Sequence, residues 1–136
     1  MTIASILRRQ GRRASTVPPT ATAAELARIL TDRRAGAVLV AEREPARREQ
    51  VLGIVSERDI VRSLANVGAA TLEMTAGQLM TRALRTAAPE TTLDEAMQLM
   101  TVGRFRHLPV FEEGTLVGLV SLSDVVETRA QQPLPA

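Results

Sequence analysis

The chain of 136 residues contains no Cys, Lys, Trp or Tyr, and only two Phe and one His. Without Cys there is no disulfide framework, no thiol nucleophile and no cysteine-built metal site; such a composition fits a cytoplasmic protein. Phe105 and Phe111 offer little platform for stacked bases, which argues against a nucleic-acid partner. The single His107 has no second strong ligand at matching spacing and no paired nucleophile, so neither a metal site nor general-base catalysis is expected of it. No apolar run approaches the roughly 18–20 residues that span a bilayer, so no membrane partner is expected. Met1 to Arg13 lacks the apolar stretch of a secretory signal. Every one of the 17 basic residues is Arg, set against 15 acidic residues for a net charge of +2. The small excess is poor support for a polyanion partner, and the cluster Arg8, Arg9, Arg12 and Arg13 reads better as a solvated helix end.

Hydrophobic residues make up 45% of the chain, enough for a folded core. Ile3, Ile6 and Leu7 share one face of a short opening helix. Ser15 to Val17 is extended and stopped by Pro18-Pro19. Thr22-Ala-Ala-Glu25 has the form of a capping box, and Ala23, Leu26, Ala27 and Leu30 follow at helical spacing. Gly36–Val40 and Val51–Val55 are the strands of a hairpin, joined by a charged loop containing Pro45. Ile60, Val61 and Leu64 mark a helix that ends near Gly68. The order then recurs. Thr75 to Met80 echoes the opening helix, and Leu84 to Ala87 is extended. Thr92-Leu-Asp-Glu95 is a second capping box, followed by Leu93, Ala96, Met97 and Met100. His107–Val110 and Thr115–Val120 form a second hairpin, and Ser121 opens a last helix carrying Val125 and Val126. The capping boxes lie seventy positions apart and the Ser-x-x-Asp motifs sixty-five. The difference falls in the hairpin loop, where length variation is tolerated. The expected organisation is an α/β (α+β) fold of two β-α-β-β-α repeats, 1–70 and 71–130, paired with pseudo-two-fold symmetry, plus a disordered tail at 131–136.

Two stretches carry the chemistry: Gly53-Ile-Val-Ser56-Glu-Arg58-Asp59-Ile-Val61 and Gly118-Leu-Val-Ser121-Leu-Ser123-Asp124-Val-Val126. Each reads as strand, sharp turn, helix. Ser and Asp at a helix mouth cap its free N–H groups, and the same groups suit a phosphate or polyhydroxyl ligand. Asp59 and Asp124 can each accept from both hydroxyls of a vicinal diol. Ser56, Ser121 and Ser123 can donate to phosphate oxygens. Arg58 stands where the helix dipole does not favour a cation, so it reads either as an anion contact or as an exposed side chain. Arg104, Arg106 and His107 cluster before the second hairpin, as phosphate ligands or as a salt-bridged edge. Met97 and Met100 suit core packing or a dimer face.

With Arg106-His-Leu-Pro-Val110, these stretches resemble the cystathionine-β-synthase (CBS) domain family, over roughly residues 1–130. Two tandem repeats look like one CBS pair, the Bateman module. The resemblance implies a regulatory, non-catalytic module that senses an adenosine-containing ligand (AMP, ADP, ATP, NAD(H) or S-adenosylmethionine). It needs no cofactor and forms a homodimer that passes the signal to a regulated protein. The last motif is similar to one in the γ regulatory subunit of AMP-activated protein kinase. This implicates Ser121, Ser123 and Asp124, with Arg106 and His107 in the reverse of that subunit's His-Arg order. Thr16-Val17 and Thr86-Ala87 match the extended pieces that border adenine in the family. The competing expectation is a protein-interaction dimer whose Ser-x-x-Asp turns are caps alone.

Overall fold

A computed structural model describes residues 1–11, 14, 16–43 and 47–131. Arg12, Arg13, Ser15, Pro45 and nearly all of the expected tail lie outside the described residues. The chain divides into two compact units, Met1–Ala14 with Arg85–Ala136, and Ser15–Leu84.

The unit Ser15–Leu84 holds β1 (Thr16–Val17), α2 (Ala23–Arg33), β2 (Ala37–Ala41), β3 (Val51–Ser56), α3 (Glu57–Val67) and the short α4 (Ala76–Leu79). Its sheet runs β1-β2-β3, with β1 parallel to β2 and β3 antiparallel. All five residues of β2 are buried, as expected of a central strand covered on both faces. Val17, Leu26, Leu30, Val38, Val40, Val55, Ile60 and Ala76 make the core.

The other unit holds α1 (Ile3–Gln10), α5 (Leu93–Gly103), β4 (His107–Glu112), β5 (Thr115–Ser121) and α6 (Leu122–Ala130). Its hairpin turns through Glu113 and Gly114, both left-handed at φ 50° and 78°, the conformation of a tight two-residue hairpin turn. The expected strand at Leu84–Ala87 shrinks to one parallel bridge, Ala87 to Val110. Ile3, Ile6 and Leu7 of α1 are at most 1% exposed among Leu108, Val110, Val120 and Val125. Burying each such side chain contributes about 1.5–3 kcal/mol, so α1 is a structural member of this unit.

The packing units therefore differ from the sequence repeats 1–70 and 71–130. Each unit takes its short helix from the opposite half of the chain. Backbone bonds at the helix starts show why. Thr22 and Thr75, the N-caps of α2 and α4, face each other in an antiparallel bridge. The Ala23 N–H donates to Met74 C=O at 2.8 Å, and the Ala76 N–H to Ala21 C=O at 2.7 Å. Thr2 and Thr92 repeat this between α1 and α5, with Ile3 N–H on Thr91 C=O at 2.8 Å and Leu93 N–H on Met1 C=O at 3.1 Å. These bonds satisfy N–H groups that a helix cannot satisfy internally. The two expected capping boxes are correspondingly half-made. Thr22 and Thr92 accept from the N–H of Glu25 and Glu95; among the described residues neither Glu side chain bonds back. Ala27, expected in the buried stripe, is exposed, and the stripe of α2 narrows to Ala23, Leu26 and Leu30.

Gly53 and Gly118 occupy matching places in β3 and β5, and each admits a neighbour at close range. A Cβ on Gly53 would lie 2.7 Å from the Thr81 carbonyl oxygen, which is fixed by the bridge between Ile54 and Thr81. A Cβ on Gly118 would meet the Leu7 Cδ2 methyl at 2.5 Å, the end of a rotatable side chain. Gly53→Ala is expected to cost about 1–3 kcal/mol of unfolding free energy in chemical denaturation, as overpacking does. Gly118→Ala is expected to cost less. Equal costs, or the reverse order, would show that Leu7 is as unyielding as the Thr81 backbone.

Candidate functional site

Both Ser-x-x-Asp motifs lie where a strand runs directly into a helix. Ser56 caps α3 and Ser121 caps α6, and here the capping box is complete. In α6 the Asp124 N–H donates to Ser121 Oγ at 3.0 Å, and the Ser121 N–H to Asp124 Oδ2 at 2.8 Å. In α3 the corresponding distances are 3.2 and 2.8 Å, and the Ser56 hydroxyl also donates to Asp59 Oδ2 at 3.0 Å. The next donor is also taken, since Leu122 N–H bonds Arg106 C=O at 2.7 Å and Glu57 N–H bonds Gly36 C=O at 2.9 Å. Among the described residues this leaves the N–H groups of Ser123 and Arg58 without a protein acceptor. Each mouth thus keeps one backbone donor, a half-buried carboxylate and the exposed side chain of Ser123 or Arg58.

Strand register brings further residues to these mouths. His107 pairs with Ser121 across the second hairpin, and Ala37 pairs with Ser56 across the first. With the bonds to Arg106 and Gly36, this makes Arg106 and His107 the structural counterparts of Gly36 and Ala37. Only the α6 mouth therefore has an imidazole directly across from its cap and a guanidinium-bearing residue at the bonded carbonyl. Arg106 is exposed and His107 half-buried. Arg104 is the left-handed C-cap of α5 at φ 58°, its N–H bonded to Met100 C=O, matching Arg34 after α2 at φ 52°. A non-Gly residue in this conformation is uncommon, and both halves keep an Arg there.

Thr86 and Ala87 are not drawn to the mouth by register. Ala87 bonds Pro109 and Phe111, further along β4, with Ala87 buried and Thr86 half-buried. Thr16 and Val17 pair with Leu39 and Val40, two and three residues beyond the Ala37–Ser56 pair. All four can line only a site that extends along the strands from the mouth.

A cleft of about 420 Å³ opens between α2 and α3, lined by Ala27, Leu30, Arg34, Ile60 and Val61 among others. It includes Glu57, the first residue of α3, but neither Ser56 nor Asp59. The apolar residues that leave the core stripe, Ala27 and Val61, were its signal. Its chemistry is that of a helix-packing groove; the polar groups suited to a nucleotide lie at the strand ends. Among the described residues no three His, Asp or Glu side chains gather as a metal site, and no helix is long and apolar enough to cross a membrane.

Strand-to-helix mouths repeated in two halves, with short helices exchanged between packing units, define a class. The CBS domain model matches residues 5–66 and 76–130, and the chain belongs to the CBS domain family. A CBS-domain protein of Agrobacterium tumefaciens has a similar structure, with a TM-score of 0.87 and 39% identity over 95% of this chain and 99% of that one. A CBS-domain protein of Pyrobaculum aerophilum, solved in complex with AMP, is 26% identical with a TM-score of 0.78, covering 97% of this chain and 100% of that one. The mitochondrial CBS-domain protein CBSX3 of Arabidopsis thaliana is 37% identical over 99 residues, 71% of this chain but only 47% of its own length.

Proposed function

We propose that this chain is a regulatory module that binds an adenosine-containing ligand at the α6 mouth and performs no catalysis. The candidate ligands are AMP, ADP, ATP and NAD(H), with S-adenosylmethionine as a further one. The observation that carries the reading is the state of Asp124. Its Oδ2 is anchored by the Ser121 N–H, while Oδ1 has no protein partner among the described residues. A carboxylate fixed in this way is preorganised to accept hydrogen bonds from ribose hydroxyls. Ser121, Ser123, Arg104, Arg106 and His107 supply donors for phosphate oxygens, and Thr86 and Ala87 border the base. The second mouth, built on Ser56, Arg58 and Asp59 with Thr16 and Val17, is the weaker site. The AMP-bound relative from P. aerophilum supports an adenine nucleotide as ligand. Binding shifts the packing of the repeats and so the state of a regulated protein in the cytoplasm. The competing reading, an interaction module without a ligand, is favoured by the completeness of the capping boxes, which give Ser and Asp a full structural task.

At a hundred times its dissociation constant a ligand adds about 2.7 kcal/mol of stability. This is expected to raise the melting temperature by on the order of 5–10 °C for a domain of this size. Calorimetry on Asp124→Ala should lose the tighter event, roughly a ten- to hundredfold weakening, whereas Asp59→Ala should keep it. Asp124→Asn, which keeps one acceptor for the cap, separates loss of ligand from loss of the helix start. If all five ligands at millimolar levels leave the melt unchanged, the interaction module is the correct reading. Loss of the tighter event in Asp59→Ala alone would reverse the assignment.

The same proposal includes a homodimer. Val61 and Val67 on α3 and Val126 on α6 are 63%, 53% and 48% exposed, and the α2–α3 cleft adds a concave surface in which Ala27, Leu30, Ile60 and Val61 lie beside Arg34 and Glu57. Leu99, beside the main apolar stripe of α5, does not join this face, since it packs partly buried against its own core. Light scattering should give twice the 14.7 kDa chain mass at tens of micromolar, the regime of weak homodimers. A monomer there contradicts the dimer.

A further inference from the structure

The two mouths differ in how much of each carboxylate the protein itself already uses. A carboxylate offers about four lone-pair positions, two on each oxygen. Asp59 accepts both the N–H and the hydroxyl of Ser56 on Oδ2, at 2.8 and 3.0 Å, which fills that atom. Its remaining oxygen, Oδ1, lies 4.0 Å from Nη1 of Arg62, one turn further along α3. Asp124 accepts a single bond, from the Ser121 N–H, on Oδ2. Three residues after Asp124, where α3 has Arg62, α6 has Glu127. Among the described residues no cation pairs with Asp124.

A diol needs two acceptor positions. Asp124 has them without rearrangement. At Asp59 the only oxygen that the cap leaves open is the one Arg62 faces. Resting on the nucleotide-binding reading above, we propose that Arg62 guards the Asp59 mouth: it is a cation of the same helix that competes with a ribose diol for the open oxygen, so that a nucleotide fills the α6 mouth first. The guard is displaceable. The Arg62 side chain is 65% exposed, and exposed ion pairs are weak. A purely structural acid–Arg pair at this helical spacing would steady α3 slightly and would have no bearing on ligand affinity, so affinity is the measurement that distinguishes the two roles.

The test is calorimetry with AMP. The Asp124→Ala chain isolates the Asp59 mouth, with Asp124→Asn as the second background in case the alanine weakens α6. Adding Arg62→Gln to either background should tighten AMP binding about two- to fivefold, while Arg62→Lys, which keeps the charge, should not. The reciprocal change, Glu127→Arg in the otherwise unaltered chain, should weaken the α6 mouth by a similar factor. Unchanged affinity on Arg62→Gln, or no binding with or without it, overturns the guard. Weaker affinity also overturns it, since Arg62 would then be a ligand for the phosphate. An unaltered chain that binds AMP while Arg62→Gln has no effect fails the guard alone. An unaltered chain that binds no AMP fails the nucleotide reading itself.

Discussion

The first N–H groups of a helix have no acceptors inside it, and the way this chain supplies them organises the structure around them. Every one of the six described α-helices starts behind a Thr or a Ser: Thr2, Thr22, Ser56, Thr75, Thr92 and Ser121. The four Thr starts are joined in pairs, Thr2 with Thr92 and Thr22 with Thr75, and the pairing commits a short helix from one half of the sequence to the unit formed by the other. The two Ser starts follow directly on strands. Their donors go to the carbonyl just before the neighbouring strand, to the Ser hydroxyl and to one Asp oxygen, leaving one N–H and the second carboxylate oxygen, which at Asp59 faces Arg62. The candidate sites are thus the two helix starts that no other helix start covers.

This placement removes the apparent conflict between capping and ligand binding. A capping box needs one oxygen of the Asp and the hydroxyl of the Ser as acceptor. The second carboxylate oxygen, the Ser proton and the side chains that register brings alongside are not required by the cap. Capping instead contributes to binding by fixing the carboxylate before the ligand arrives, so that little side-chain freedom is lost on association. The halves diverge through few substitutions in a shared frame. Gly36 and Ala37 correspond to Arg106 and His107, Arg58 to Ser123, and Arg62 to Glu127. One backbone geometry then supports two mouths of different chemistry.

Much of this was legible in the sequence. Short apolar runs located both hairpins, and the Ser-x-x-Asp spacing located both strand-to-helix mouths, because these signals depend on residues close together in the chain. The partner of α1 was not legible. The spacing of Ile3, Ile6 and Leu7 says which face is buried but not what it is buried against; that is decided by the bridge from Thr2 to Thr92, ninety residues away. Ala27 was misplaced for a related reason, since periodicity marks a stripe wider than the core beneath it, and the surplus lines the α2–α3 cleft. Among the described residues the stretch holding Thr86 meets a sheet at the Ala87 bridge alone, a tertiary detail that extended propensity does not reveal. That the halves differ at Arg106 and His107 is legible in the sequence, where the matching positions are Gly36 and Ala37. The contact between Arg62 and Asp59 emerges only in the structure, because an acid and an Arg three apart on a helix are ordinary in sequence.

Whether the α6 mouth is where a nucleotide binds is read directly by nuclear magnetic resonance. His107 is the only histidine in the chain, so its ring signals need no assignment by mutation, and it lies across the hairpin from Ser121. On titration with AMP, the His107 ring and the amides of Ser121 to Asp124 should shift together and saturably, before those of Ser56 to Asp59. Shifts confined to Ala27, Arg34 and Ile60 in the α2–α3 cleft, with His107 and Ser123 unmoved, would contradict the account.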